Sequence, residues 1–167
     1  MSTASFDVVG IRVVATIAAT LISAMVILLV LLLAGLRWQV TPVVDLIRRM
    51  NKSVSNPRVM RTAGTPQTQT SVIEHVGRTS GRTYQTPIDV IPTKTGLLIA
   101  LPYGSRADWT RNVLAAGSAT VVMQGQRVTV DRPTIVATGE VASLIPKRTM
   151  RMLRLFGVRE CLHLEKS

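Results

Sequence analysis

The residues His75 to Pro87, HVGRTSGRTYQTP, bring together groups suited to holding an anion. Two Gly-Arg pairs, Gly77-Arg78 and Gly81-Arg82, stand four residues apart with Thr79 and Ser80 between them. Glycine lets a backbone turn tightly enough for successive N–H groups to face one concavity, the arrangement known as a nest. Arg78 and Arg82 add positive charge, and Thr79 and Ser80 add hydroxyl donors. Phosphate is the natural occupant of such a turn. No Gly-Lys-Ser/Thr ending makes this a Walker loop, and no helix follows to make it a Rossmann turn. The loop joins two expected strands, so a merely solvated turn is the plainer alternative.

A second stretch, LPYGSRADWTRN from Leu101 to Asn112, points toward the same kind of chemistry. A strand ends at Pro102-Tyr103-Gly104, and a helix beginning near Ser105 would aim unpaired N–H groups and the positive end of its dipole at the neighbouring space. Ser105 with Asp108 three residues on reads as a variant capping box, and Gly117 as the helix stop. Trp109, Asn112, Val113 and Ala116 share one face by their i, i+3, i+4, i+7 spacing. Asn112 then points inward, where a buried amide must find a partner. It either ties down a loop or meets an amide or carbonyl of a ligand. His75 and His163 read as core or loop histidines. Cys161, the single cysteine, can form no disulfide within the chain, and no Cys/His cluster has metal-ligand spacing.

These residues need a scaffold, and the patterning supplies strands. TSVIEHV, TYQTPIDVI and GLLIALP read as strands, with Lys94-Thr95-Gly96 as the turn between the last two. After the helix, ATVVMQ and QRVTVDRP form a hairpin through Gly125, and PTIVATGEV continues the sheet. Pro146 to Phe156 reads as a basic amphipathic helix and ECLHLE as a last strand. Five or more antiparallel strands with one inserted helix predict an α+β fold built on a small barrel.

The remainder of the chain has a different character. From Val13 to Leu36 no residue is charged, a length that spans a bilayer, for which about 20 apolar residues suffice. It is too long for the apolar region of a cleaved signal peptide, about 7–15 residues. Arg37, Arg48, Arg49 and Lys52 follow this segment while Arg12 alone precedes it, so the positive-inside rule puts the C-terminal part in the cytoplasm. Val43, Val44, Leu46, Ile47 and Met50 beside those cations make a basic amphipathic helix, lying on the membrane surface or packed on the domain. The expected organisation is a tail over residues 1–12, an anchor over 13–36, an amphipathic helix and linker over 37–69, and a barrel domain over 70–167. The formal net charge of +11 favours anionic partners. An aromatic content of 4% argues against a base-stacking surface, and hence against nucleic acid.

HVGRTSGRTYQTP followed by LPYGSRADWTRN resembles the deazaflavin (F-420)-dependent nitroreductase and quinone reductase family, over roughly Val72 to Val136. The resemblance implies an antiparallel split β-barrel of the FMN-binding type. It implies as ligand the reduced 8-hydroxy-5-deazaflavin coenzyme F-420, with its phosphate and anionic oligoglutamate tail; FMN is the less favoured ring. On that reading Arg78, Thr79, Ser80 and Gly81 hold the phosphate and Arg82 the carboxylate tail. Thr86 and Pro87 lie against the ring on one side, Leu101, Pro102, Tyr103 and Gly104 on the other, and Trp109 and Asn112 stand beside it.

The coenzyme would deliver a hydride from ring carbon C5, with the protein positioning it. A quinone acceptor also needs a proton, and Ser80, Tyr103 or solvent is the expected donor. Tyr84 and Tyr103 are the only tyrosines and suit barrel packing equally well, so the family's substrate tyrosines have no counterpart here. With the site beside the bilayer, menaquinone is the first acceptor expected and a lipid the next. The alternative is a carrier that binds cofactor or lipid without turnover. An exposed strand edge would admit a homodimer.

Overall fold

The computed structural model describes residues 3–38, 40–50 and 56–167; Lys52 of the basic run lies outside them. Its helices are α1 (Thr3–Arg37), α2 (Thr41–Met50), α3 (Asn56–Val59), α4 (Asp108–Ala116) and α5 (Lys147–Leu155). Its strands are β1 (Ser71–Val76), β2 (Thr83–Ile88), β3 (Val90–Pro92), β4 (Gly96–Ala100), β5 (Ser118–Met123), β6 (Gln126–Ala137) and β7 (Glu160–Lys166).

All seven strands form one antiparallel sheet in the order β2-β1-β5-β6-β7-β4-β3. Strands β2 and β3 stand at opposite edges of that order, yet only Asp89 separates them in the chain. One residue spans less than about 4 Å. The sheet must therefore curl until its two edges meet, which makes it the expected split barrel.

The hydrophobic pattern follows from that curl. Alternate residues Leu97 and Ile99 of β4 and Leu162 and Leu164 of β7 point inward with Ile73, Val121 and Val130. The intervening Leu98 and Cys161 point outward and are buried under α5 with Ile145 and Met150. Strand β4 is thus covered on both faces, which explains its unbroken apolar run GLLIA.

Three sequence expectations are corrected. TYQTPIDVI, expected as one strand, is two, β2 and β3, divided at Asp89 and placed on opposite edges of the sheet. QRVTVDRP and PTIVATGEV are a single 12-residue strand, β6, interrupted by a bulge between Asp131 and Thr134 where Arg132 takes a φ of 48°. Pro133 cannot donate to a ladder, and a bulge is one of the few places in a sheet that tolerate it. Gln126 to Asp131 pair with β5, while Val130, Asp131 and the segment after the bulge pair with β7, so one long strand joins the two and turns the barrel's corner. Ser105 also does not cap α4: the helix begins three residues later at Asp108, behind Ala107 and with no side-chain cap, while the Ser105 backbone N–H donates to Glu160 Oε2 at 2.8 Å.

Helix α1 contains an apolar stretch, Gly10–Gly35, of 26 residues at mean hydropathy 2.9, and none of its most apolar 18-residue window is buried. By length and composition it can cross a membrane. At its end the Val40 N–H bonds to the Gly35 carbonyl at 2.8 Å, and α2 folds back with Val44 buried while Leu46 and Met50 stay exposed.

A Cβ added at Gly96 would sit 1.9 Å from the Leu164 carbonyl oxygen, a backbone atom that cannot step aside. Gly96→Ala is therefore expected to destabilise the fold by about 1–3 kcal/mol or more in chemical denaturation. Gly139→Ala, where a Cβ meets nothing within 4 Å, serves as the matched control with little change.

Candidate functional site

The Gly-Arg loop connects β1 to β2 and is closed at its base by the Gly77 N–H donating to the Arg82 carbonyl at 2.8 Å. Inside it the Gly81 N–H reaches the Gly77 carbonyl, also at 2.8 Å. Gly81 has a φ of 64°, and a Cβ at Gly77 would lie 2.6 Å from the Tyr84 ring, so both glycines are needed for the turn. Among the described residues, the Thr79 and Ser80 backbone N–H groups have no intramolecular acceptor. They sit at the exposed tip between Arg78 and Arg82.

What holds the loop is Asn112, on the second turn of α4. Its Oδ1 accepts from the Arg78 backbone N–H at 3.2 Å and from Arg78 Nη1 at 2.8 Å. Arg78 Nη2 reaches Asp108 Oδ1 at 3.4 Å, joining the loop to the first turn of α4. The sequence left Asn112 between tying down a loop and meeting a ligand. In the structure its oxygen ties the loop.

The other end of the Asn112 amide meets His75, which the sequence marks as a core or loop histidine and the structure buries. Asn112 Nδ2 lies 3.2 Å from His75 Nδ1, and His75 Nε2 lies 3.2 Å from Thr86 Oγ1. An amide nitrogen only donates, so His75 Nδ1 must accept. The ring is thereby fixed as the neutral Nε2–H tautomer, donating to Thr86. Tyr84 stacks on His75 with ring centroids 5.9 Å apart, and its hydroxyl lies 3.1 Å from Ser80 Oγ. The period of two in β1 was the available signal: His75 falls two residues after Ile73, which is fully buried.

The remaining expected residues fall in other surroundings. Leu101 is buried in the barrel core, and Trp109 packs against that core. Ala116, expected on the inward face of α4, is exposed. That face closes at Val113 because the helix stops at Gly117. Pro87 is half-buried on β2 and Pro102 is exposed. Tyr103 and Gly104 line a cavity of about 330 Å³ with Val44 and Arg48 of α2, Arg106 and Glu160. Ser80 and Tyr103 are thus set in different surroundings, one on the loop and one beside α2.

No protein-family model and no curated protein matches this chain. Solved structures do. Atu2129 of Agrobacterium tumefaciens, of unknown function, aligns at 16% identity and a TM-score of 0.45 over 65% of this chain, which spans only 54% of that protein. General Stress Protein 26 of Bacillus anthracis aligns at 12% identity and a TM-score of 0.46, covering 60% of this chain and 81% of that one. Structural neighbours also include an F420-H2 dependent reductase, FDR-A, at 13% identity and a TM-score of 0.40, covering 58% of this chain and 94% of that one. At these identities the likeness is one of fold alone.

Burial lowers the His75 pKa below its ordinary 6.5. Between the two values the unfolded chain binds a proton that the folded chain refuses. Folded stability is therefore complete above about pH 6.5 and falls as pH drops below it, by at most about 1.4 kcal/mol per pH unit for one proton. Glu74, whose pKa is held down by hydrogen bonds from Arg127, loses its contribution only as pH falls below its ordinary 4.5. The loss that begins just below pH 6.5 thus belongs to His75. Thermal melts across this onset should show the wild type losing stability toward acid and His75→Gln showing a flatter profile; equal slopes would refute the neutral-tautomer assignment.

Proposed function

We propose that this chain is a membrane-anchored oxidoreductase that binds the deazaflavin coenzyme F-420 and reduces an apolar acceptor such as menaquinone. The observation that carries the proposal is the loop tip, where the Thr79 and Ser80 N–H groups are free while Arg78 is pinned against α4 by Asn112. Free N–H groups, two guanidinium groups and two hydroxyls make a donor set that fits a phosphate diester and nearby carboxylates. The resemblance of the two motifs to the deazaflavin-dependent reductases gives that anion a chemical identity.

On this reading Arg78, Thr79, Ser80 and Gly81 hold the phosphate, and Arg82, exposed at the foot of β2, meets the anionic tail. Arg78 is held in place by one bond from each terminal nitrogen, to Asn112 and Asp108, and keeps further N–H groups for the anion. Thr86 is presented toward His75 rather than toward solvent, which fixes its hydroxyl as an acceptor. Tyr103 and Ser80 are the hydroxyls assigned to the acceptor's proton. When bound, the coenzyme supplies the hydride, and the barrel supplies position and exclusion of water. Helix α1 holds the domain at the cytoplasmic face of the membrane, where an apolar acceptor is concentrated.

The test uses the full chain in lipid nanodiscs, titrated with F-420 and separately with FMN by cofactor fluorescence. The deazaflavin should bind more tightly. Asn112→Ala and Arg78→Ala should each weaken it on the order of tenfold or more, as expected for lost hydrogen bonds to a charged group. Oxidation of the reduced coenzyme by menaquinone in the same discs establishes turnover. Tight binding without oxidation by any quinone identifies a carrier instead, and binding of neither ring sinks the proposal.

A further inference from the structure

We propose that α5 is a second membrane contact, docking its outward face on anionic phospholipid headgroups beside the point where α1 leaves the bilayer. The proposal rests on the reading of α1 as a membrane anchor. Helix α5 has the sequence KRTMRMLRL, with no acidic residue. Its inner side is spent on the fold, since Met150 and Leu153 pack with Leu98, Ile145 and Cys161. The opposite side presents Arg148, Arg151 and Leu155 in one row at i, i+3, i+7 spacing, with Met152 alongside. Leu155 is 62% and Met152 48% exposed, a high value for apolar side chains on a folded domain. Among the described residues no carboxylate pairs with Lys147, Arg148, Arg151 or Arg154.

The position of this face names its partner. Gly157 lies two residues past the end of α5, behind its cap Phe156, and a Cβ there would lie 2.4 Å from the carbonyl oxygen of Arg37, the last residue of α1. Backbone meets backbone at that point, so the end of α5 lies where the apolar helix ends. A nine-residue helix is about 13 Å long, so all four cations remain near the headgroup region, some 5–8 Å deep on each side of the hydrocarbon. Exposed leucine and methionine set among arginines suit an interfacial helix, the apolar residues entering the headgroup boundary and the arginines meeting lipid phosphates. A soluble acidic partner would satisfy the charges but leave Leu155 unexplained.

The full chain, carrying Met152→Cys labelled with an environment-sensitive fluorophore, is reconstituted in vesicles of phosphatidylcholine alone or with a third phosphatidylglycerol. The native Cys161 is fully buried and should not label. The label should shift to the blue and be quenched by lipid-borne quenchers in the anionic vesicles. The shift should weaken at least several-fold in neutral vesicles and in the triple variant Arg148→Gln, Arg151→Gln, Arg154→Gln. A second label, at Ile22→Cys in the middle of α1, reads the anchor independently and should be quenched in both lipids.

A quenched Ile22 label with a Met152 label that stays in water overturns the docking proposal while the anchor stands. An unquenched Ile22 label overturns the anchor and the proposal with it. A Met152 shift that follows the protein-to-lipid ratio rather than the anionic fraction assigns the face to a second copy of the chain and also overturns it.

Discussion

The geometry of the candidate site depends on one buried side-chain amide. Asn112 is 6% exposed, so both ends of its amide must be satisfied within the protein. Its oxygen takes two hydrogen bonds from Arg78 and its nitrogen gives one to His75. Because the amide is planar, fixing one end fixes the other. A conformational choice on β1 is thereby transmitted to the tip of the loop. The free N–H groups of Thr79 and Ser80 are presented outward only because the rest of the loop has nowhere else to bond.

That amide can occupy its place only because the barrel brings α4 across β1. The sheet curls because β2 and β3, its two edges, are joined through Asp89. Within the sheet β1 pairs directly with β5, and α4 enters β5 after a single left-handed residue, Gly117. The first turn of α4 lacks a side-chain cap of its own. The Gly-Arg loop packs against it, with Arg78 donating to both Asn112 and Asp108 and so tying the loop to the first two turns of α4.

The parts of this arrangement legible in the sequence are those with short-range causes. The loop's glycines announce a tight turn, the period of two marks the strands, and the spacing on α4 puts Asn112 inward. The role of His75 depends on a partner 37 residues away, and no local pattern encodes which way a buried amide faces. The helix start was misplaced for a similar reason. Ser105 has the composition of a cap, but its segment is held by a long-range bond from its backbone N–H to Glu160, 55 residues on, and the helix starts only at Asp108. The two segments around Pro133 read as separate strands because proline usually ends one, whereas a bulge let the strand continue.

The excess positive charge is spent in two physically different ways. At the loop, Arg78 is largely neutralised by Asp108 and held by a neutral amide, so it serves as a strut. On the proposed reading an anion there would meet fixed N–H dipoles at contact distance together with the exposed Arg82. Among the described residues the α5 cations have no acidic partner, and they would act as a field that reaches roughly a Debye length, about 8 Å at physiological ionic strength. A site that must recognise one anion needs the first arrangement, because geometry discriminates where charge alone does not. A surface that must hold a domain against many interchangeable headgroups needs the second, in which no single contact has to be exact.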